Sequence, residues 1–300
     1  MPSKNKPEPA PSYVDTLISE LRQIESDYAG ILEGSEIYHY DPNSRGGGIV
    51  FIGAATQHWR ETSDEVTGRR MRTLGQLRDW RPRFQLLFPH PTPEVSKVLK
   101  ERGAHLERWL VRKDENDHSI PSSIPAAVTR VREDFSALVG LTNMLPIDQW
   151  PTRVVLDTNA LIDNPNVAAY QLAFPRGYLV HLLPTVLREL DELKRSGRTP
   201  ELRENASRAN RRLKGIRVNK TSSDVINVEA DVFLRFEHIE PRGDSLPSWL
   251  DLTVPDDRLV ASTLLLQSEH PGSQVHVVTG DVNLQTKLSA IGLPFLDPDF

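Results

Sequence analysis

In the first half of the chain, apolar residues recur at the three- and four-residue spacing of amphipathic helices. The first run lies between Tyr13 and Leu32 and predicts a helix with one buried face. Runs of the same kind cover about 63–79, 94–112 and 125–142. The pattern predicts a mostly α-helical domain over 12–145, and no motif within it indicates its role.

After residue 152 the pattern changes to short apolar runs that alternate with helical ones. Strand-like runs lie at 153–157, 178–184, 232–240, 274–281 and 294–297. Strands separated by helices predict a parallel sheet with helices on both faces. The functional crevice of such a sheet lies at the carboxyl ends of its strands. We therefore expect an α/β domain over 153–300.

Composition marks the boundaries of these domains. Residues 1–11 are rich in Pro and Lys and are expected to form a disordered tail. Residues 43–48 contain three consecutive glycines and predict a turn before the apolar run 49–55. Residues 146–152 contain two prolines and are expected to be the linker between the domains.

The composition also limits the class of protein. Hydrophobic residues make up 38% of the 300 residues, which suffices for two ordinary cores. No apolar stretch approaches the roughly 20 residues that span a bilayer, and the sequence MPSKNKPEPAPS lacks the apolar core of a signal peptide. The absence of cysteine excludes disulfides, thiol nucleophiles and cysteine zinc sites. We expect a cytoplasmic protein with no membrane association.

Charge is unevenly distributed along the chain. The formal net charge is −5, of which −2 falls on residues 1–150 and −3 on 151–300. Residues 194–220, however, contain ten lysines and arginines and two glutamates, a local excess of eight positive charges. A basic stripe of this kind can bind phosphates although the mean charge is negative.

Four acidic residues lie where the predicted strands end. Asp157 and Asp281 end strands, Glu189 lies one turn into the helix after the second strand, and Asp257 lies in the first turn of a later helix. If the strands are parallel, these residues share one edge of the sheet. The sequence therefore predicts four carboxylates in one crevice.

Such a cluster requires a counterion. Two like charges about 4 Å apart repel by roughly 4 kcal/mol at an effective dielectric constant near 20. A divalent cation removes this cost. Oxygen ligands without cysteine or histidine favour Mg²⁺ or Mn²⁺ over zinc, and these ions suit phosphodiester hydrolysis.

Four motifs give the second half a family resemblance. They are VVLDTNALID, LPTVLRELDELK, VPDDRLVAST and HVVTGDVNLQTKLSAIGLP, in this order. Together they resemble the PIN domain, the fold of metal-dependent nucleases found among toxin nucleases and RNA-processing and RNA-decay enzymes. The resemblance implies a PIN-like parallel sheet sandwiched by helices, with the following metal-binding acids: Asp157, Glu189, Asp257 and Asp281. It also implies that Thr158, Asn159 and Thr279 support and orient these acids.

The third acid has two candidates. Asp256 and Asp257 are adjacent, and only the spacing to the apolar run Leu259–Ala261 distinguishes them. In the family pattern the acid directly precedes such a run, which favours Asp257. Asp256 would then cap the helix by accepting its free amide hydrogens.

The basic segment follows the helix of Glu189, so its cations are expected beside the acidic crevice. The residues that we expect to hold a nucleic-acid backbone are Arg203, Arg208, Arg211, Arg212 and Lys214. The alternative is a solvated helix face. Few aromatic residues occur there, so base stacking is not indicated.

These observations predict a Mg²⁺- or Mn²⁺-dependent ribonuclease that hydrolyses single-stranded RNA through four acids. One alternative is a catalytically silent PIN-fold protein that binds RNA or serves as a scaffold. A structure-specific DNA nuclease is another, because the same metal chemistry serves both polymers. The N-terminal helical domain is expected to select substrate, dock a protein partner or regulate, and the sequence does not indicate an oligomeric state.

Overall fold

The computed structural model describes residues 11–41, 56–113, 117–218, 224–242, 246–247 and 249–298. Contacts divide the chain into two compact units. The N-terminal unit is Asp15–Leu145, and the C-terminal unit is Pro146–Phe300 with the described residues up to Val14. Residues 1–10 of the predicted tail, the predicted turn at 43–48 and the apolar run 49–55 lie outside the described residues. A search of the described helices found no segment that could span a lipid bilayer.

The N-terminal unit is mostly helical, as the sequence predicts. Its elements are α1 (Tyr13–Glu33), β1 (Ile37–Tyr40), β2 (Thr56–Trp59), α2 (Asp64–Leu86), α3 (Pro93–Val111), α4 (Ile124–Leu141) and a 3₁₀ turn at Thr142–Met144. β1 and β2 pair in antiparallel orientation. The sequence did not predict these strands, because four residues are too few to show a clear alternation.

Local capping and an apolar face explain why these helices form. The side chains of Ser63, Thr92 and Ser123 accept hydrogen bonds from the backbone amides three residues on, at the starts of α2, α3 and α4. The predicted apolar faces are the buried ones, and they include Trp80 and Trp109, both 1% exposed. The core of this unit is therefore rich in aromatic residues.

The C-terminal unit is an α/β domain with a six-stranded sheet, which confirms the predicted fold class. Its strands are β3 (Thr152–Leu156), β4 (Tyr178–Leu182), β5 (Ile226–Glu229), β6 (Val232–Phe236), β7 (Gln274–Val278) and β8 (Phe295–Leu296). Its helices are α5 (Thr158–Asp163), α6 (Pro184–Ser196), α7 (Pro200–Arg217), α8 (Pro255–Glu269) and α9 (Val282–Ala290). The strand order is β5-β6-β4-β3-β7-β8.

All neighbouring strands are parallel except β5, which pairs with β6 in antiparallel orientation. The central strands β3 and β4 are almost continuously buried, because helices cover both faces of a parallel sheet. The sequence did not predict β5, because four residues are too few to show a clear alternation. It forms a tight hairpin with β6 through Ala230, which has a positive φ of 43°.

Segment 146–152, predicted as a linker, belongs to the C-terminal unit. Its Asp148 accepts a 2.7 Å hydrogen bond from Nη2 of Arg153. The ring of Trp150 lies 4.6 Å from that of Phe233, centroid to centroid. These contacts attach the segment to the sheet.

A buried polar network connects β3 and β4 to neighbouring segments of the C-terminal unit. We define it as the following residues: Asp148, Arg153, His181, Glu237 and Ser273. Besides Asp148, the Arg153 guanidinium donates to Ser273 Oγ at 2.9 Å and to His181 Nε2 at 2.8 Å. His181 Nδ1 in turn lies 2.7 Å from Glu237 Oε1. Arg153 and His181 are 3% and 0% exposed, so the network is part of the core.

The geometry assigns the protonation state of His181. Because Arg153 donates to Nε2, the proton of the neutral ring lies on Nδ1 and is donated to Glu237. Burial lowers the pKa of His181 to about 4, and this effect exceeds the opposing attraction of Glu237. His181 is therefore neutral at physiological pH, and the charges of Arg153 and Asp148 neutralise each other.

Candidate active site

The acidic crevice begins where β3 and β7 end side by side. Leu156 pairs with Val278, so the residues that follow them meet at the carboxyl edge of the sheet. The backbone amide of Asp157 donates to the carbonyl of Val278 at 3.1 Å. Asp157 then caps α5 through a 2.6 Å hydrogen bond from the Ala160 amide to Oδ1. Its side chain is held in place by the backbone and is only 4% exposed.

Glu189 reaches the same edge from α6. The hydroxyl of Thr158, the first residue of α5, donates a very short hydrogen bond to Glu189 Oε2. This contact fixes one carboxylate oxygen toward the end of β3. Thr158 therefore orients Glu189, and Asn159 lines the same cleft with an exposed side chain.

Asp281 and Thr279 complete the edge after β7. Asp281 caps α9 by accepting hydrogen bonds from the amides of Asn283 at 2.7 Å and Leu284 at 3.0 Å. The hydroxyl of Thr279 accepts from the Asp281 amide at 3.1 Å, and the Thr279 side chain also hydrogen-bonds to Asp157. Thr279 is fully buried and links the two aspartates.

Asp256 lines the cleft, whereas Asp257, the residue that the sequence favours as the third acid, is not among the described lining residues. α8 begins at Pro255, and its N-cap, Val254, makes no side-chain cap bond, so Asp256 does not have the capping role expected for it. Asp257 is 6% exposed, lies 2.6 Å from Lys287 Nζ and accepts from the Asp251 amide at 2.9 Å. Lys287 Nζ also lies 3.8 Å from Asp256 Oδ2, so the two adjacent carboxylates share this cation.

The cleft has a volume of about 380 Å³. The carboxylates among its described lining residues are Asp157, Glu189, Glu192, Asp256 and Asp281. Glu192 was not among the acids that the sequence predicts for the site. Its spacing of three residues from Glu189 on one helix was the signal that could have placed it here.

A single guanidinium lies among the described lining residues of the cleft, that of Arg198. It follows Gly197, where an added Cβ would lie 2.6 Å from the carbonyl oxygen of Leu193, so glycine permits the tight connection between α6 and α7. Arg198 belongs to the basic segment but was not among the predicted binding residues. Its place in the loop before α7 brings it closer to the acids than the helix itself.

None of the predicted nucleic-acid-binding residues of α7 lines the cleft. Arg203 is partly buried and donates to the carbonyl of Gly197 at 2.5 Å, so it holds the α6–α7 connection. Arg208, Arg211, Arg212 and Lys214 are exposed. Arg211 pairs with Glu204 at 3.1 Å, and Arg212 donates to Asn166 at 2.9 Å. These four cations form an exposed basic face on the helix that follows the cleft.

The acids of the cleft raise one another's pKa. Burial raises the pKa of Asp157, and the charge of Asp281 raises it further, although hydrogen bonds from Thr279 and Ala160 oppose the shift. Burial likewise raises the pKa of Glu189, with added repulsion from Asp256 and Asp157 against the hydrogen bond of Thr158. A cation bound in the cleft would therefore stabilise the ionised forms of these acids.

The donor set fits a hard divalent cation, since carboxylate oxygens line the cleft and no histidine is among its described lining residues. Across the parts of the chain that the structure describes, no three histidine, aspartate or glutamate side chains are close enough together to hold one ion. The acids must therefore approach one another to share a metal.

Comparison with known families agrees with the resemblance to the PIN domain. The family model described as PIN domain matches residues 154–298, which include all the acids of the cleft. None of the curated proteins matches the chain. PIN domains are generally nucleases and typically depend on divalent metal ions. The motifs, the mostly parallel sheet and the family match agree, and the C-terminal half of the chain, residues 154–298, belongs to the PIN domain family.

Proposed function

We propose that the C-terminal unit is a Mg²⁺- or Mn²⁺-dependent ribonuclease that hydrolyses phosphodiester bonds of single-stranded RNA. The observation that carries this proposal is the meeting of one acid from each of the four motifs in one cleft, namely Asp157, Glu189, Asp256 and Asp281. A structural role does not explain it, because burial and mutual repulsion disfavour the ionised forms of Asp157 and Glu189.

The four acids are the residues that would hold the metal. A bound divalent cation supplies an activated water and neutralises charge that develops on the phosphate. Thr158 and Thr279 hold Glu189 and Asp157 at the edge of the sheet through hydrogen bonds. Glu192, which extends the acidic wall of the cleft, is the further carboxylate that can accept a proton from a water there.

The basic residues support binding of the RNA backbone. Arg198 lines the cleft and can contact the phosphate next to the scissile bond. The exposed face of Arg208, Arg211, Arg212 and Lys214 can hold phosphates farther along the strand. Contacts of this kind give affinity without strong sequence preference, and the affinity decreases as the salt concentration rises.

Cleavage of short labelled RNA and DNA strands, measured with Mg²⁺, Mn²⁺ or EDTA, tests the proposal. We expect metal-dependent cleavage of RNA that EDTA abolishes and that Asp157→Asn or Asp281→Asn reduces by at least about 1,000-fold, or about 4 kcal/mol. Asp191→Asn is the matched control, because Asp191 is an exposed acid of α6 outside the cleft. It should retain wild-type activity.

Three results would contradict the proposal in different ways. If the Asp157→Asn variant cleaved RNA as fast as wild type, the cleft would have no role in cleavage. Preferred cleavage of DNA would favour a structure-specific DNA nuclease. RNA binding without cleavage under every metal condition would favour the catalytically silent RNA-binding protein.

A further inference from the structure

A second cavity, which the nuclease proposal does not use, lies within the N-terminal unit beside the two-stranded sheet. Its volume is about 710 Å³. The described residues that line it include Tyr38, Tyr40, His58, Trp59, Arg70 and Arg112. They combine cationic and aromatic side chains within one cavity.

The two arginines are not neutralised by the protein in the described residues. Arg112 donates to Ser35 Oγ at 2.7 Å and to the Trp109 carbonyl at 3.3 Å, and Arg70 donates to the Leu110 carbonyl at 3.0 Å. No carboxylate lies within ion-pairing distance of either guanidinium in this part of the structure. Burial and the nearby charge of Arg70 lower the pKa of Arg112 to about 10, so it keeps its charge at neutral pH. The lining also contains Glu61 and Arg60, which pairs with Glu36 at 2.9 Å, so its net charge remains positive and attracts an anion.

Two buried donors of the cavity residues are unused. Nη1 of Arg112 and Nε1 of Trp59 are buried and have no hydrogen-bond partner among the described residues. The two side chains are in contact, since the guanidinium carbon lies 4.2 Å from the centre of the Trp59 ring. Buried donors without partners are costly, and a ligand with acceptor oxygens at this point removes that cost.

The rim of the cavity carries aromatic rings. Tyr38 and His58 are cross-strand partners and stack with ring centroids 5.3 Å apart and an interplanar angle of 26°. Tyr40 meets His58 edge to face at 6.2 Å. Tyr38 and Tyr40 are 40% and 54% exposed, which is unusual for rings that could pack into a core. A flat ring system can stack on such a surface.

We propose that this cavity binds a nucleotide, with the phosphate at Arg70 and Arg112 and the base on the rings of Tyr38, Tyr40 and His58. Anion-binding guanidiniums beside exposed stacked rings match the two halves of a nucleotide, and the unused donors match its phosphate oxygens. The nucleotide can be free or part of a single-stranded RNA. The proposal does not depend on whether the PIN domain cleaves RNA.

Binding to the full-length protein in EDTA tests this proposal without cleavage. We would measure a labelled single-stranded RNA by fluorescence anisotropy, and AMP and inorganic phosphate by calorimetry. The double variant Tyr38→Ala/Tyr40→Ala removes exposed rings and so leaves the core intact, and Arg70→Met removes one charge. Arg130→Met is the matched control, an exposed arginine of α4 that does not line the cavity.

We expect both cavity variants to weaken nucleotide binding at least 10-fold, and Arg130→Met to change it less than 2-fold. If the cavity variants lose both AMP and RNA binding, the site accepts free nucleotides and RNA. If they lose RNA binding alone, the site accepts only the polymer. Unchanged affinity in the tyrosine variant would overturn the proposal. The proposal would also be overturned if phosphate or a phosphopeptide bound wild type and the tyrosine variant with equal affinity, and bound them more tightly than AMP does.

Discussion

Two groups of charged residues in the C-terminal unit differ in how completely their charges are paired within the protein. In the buried polar network, Arg153 lies between Asp148 and the neutral ring of His181, and its charge pairs with that of Asp148 at 2.7 Å. In the cleft, five carboxylates share the space with the guanidinium of Arg198 among the described lining residues. The network pairs its charges within the fold, whereas the acids of the cleft outnumber the described cations beside them, which are Arg198 and, 3.8 Å from Asp256, Lys287. Substitutions in the two groups should therefore have opposite effects on stability.

The largest effect on stability is expected from Arg153→Met. This change keeps most of the side-chain volume but leaves Asp148 as a buried charge without its main partner and His181 without its donor. Breaking a buried pair in this way costs about 3–5 kcal/mol. Urea unfolding of the variant against wild type measures the loss. A loss below about 1 kcal/mol would show that the network does not carry the stability of this domain.

Mild acid should act on the network through His181. Its pKa of about 4 in the folded protein lies below the ordinary value of 6.5, so between these values the unfolded chain binds a proton that the folded one does not. Stability is therefore lost as the pH falls from about 6.5 to about 4, by up to roughly 3 kcal/mol from this residue. An NMR titration of the His181 ring should show a midpoint near 4. A midpoint near 6.5 would mean that the ring is not held neutral.

Asp256 and Asp257 provide a comparison between adjacent residues. Asp256→Asn is expected to reduce cleavage about 100-fold, or about 2.7 kcal/mol, with unchanged stability. Asp257→Asn should instead lower stability by about 1–2 kcal/mol, because it removes the buried partner of Lys287. Cleavage rates and urea unfolding of both variants measure the difference. The reverse pattern would restore Asp257 as the acid of the site.

The smallest effect is a gain of stability in the cleft. Burial and the neighbouring acids disfavour ionised Glu189, so Glu189→Gln should stabilise the metal-free protein by about 1 kcal/mol while it reduces activity. Glu201→Gln, at an exposed acid in the first turn of α7 outside the cleft, is the control and should not raise stability, because the helix dipole favours an acid there. A loss of stability in Glu189→Gln would mean that its bond to Thr158 outweighs the repulsion.

The sequence predicts the elements that have a strong repeating pattern and misses those that do not. The helices of both units and the strands β3, β4, β6 and β7 were predicted from apolar periodicity, whereas β1, β2 and β5 were not, since each has only four residues. Positions at the ends of strands, such as Asp157 and Asp281, follow from the parallel sheet alone. The choice between Asp256 and Asp257 does not, because it depends on the rotation of α8, which spacing leaves uncertain by one residue.

The sequence also did not predict the long-range contacts. The pairing of Arg153 with His181 joins residues on two strands, and neither residue belongs to a pattern that could have linked them. The basic segment was recognised from its charge, but its position relative to the cleft depends on the tight turn at Gly197. For this reason Arg198 lines the cleft, while the predicted cations of α7 lie on its exposed face.

If the acids of the cleft form a site for a divalent cation, Mn²⁺ or Mg²⁺ should stabilise the folded protein against thermal unfolding. A metal that binds the folded state raises the melting temperature in proportion to the logarithm of its concentration above the dissociation constant. We predict this increase for wild type and for Asp191→Asn, and its loss in the double variant Asp157→Asn/Asp281→Asn. An equal increase in the double variant, or none in wild type up to millimolar metal, would contradict the account.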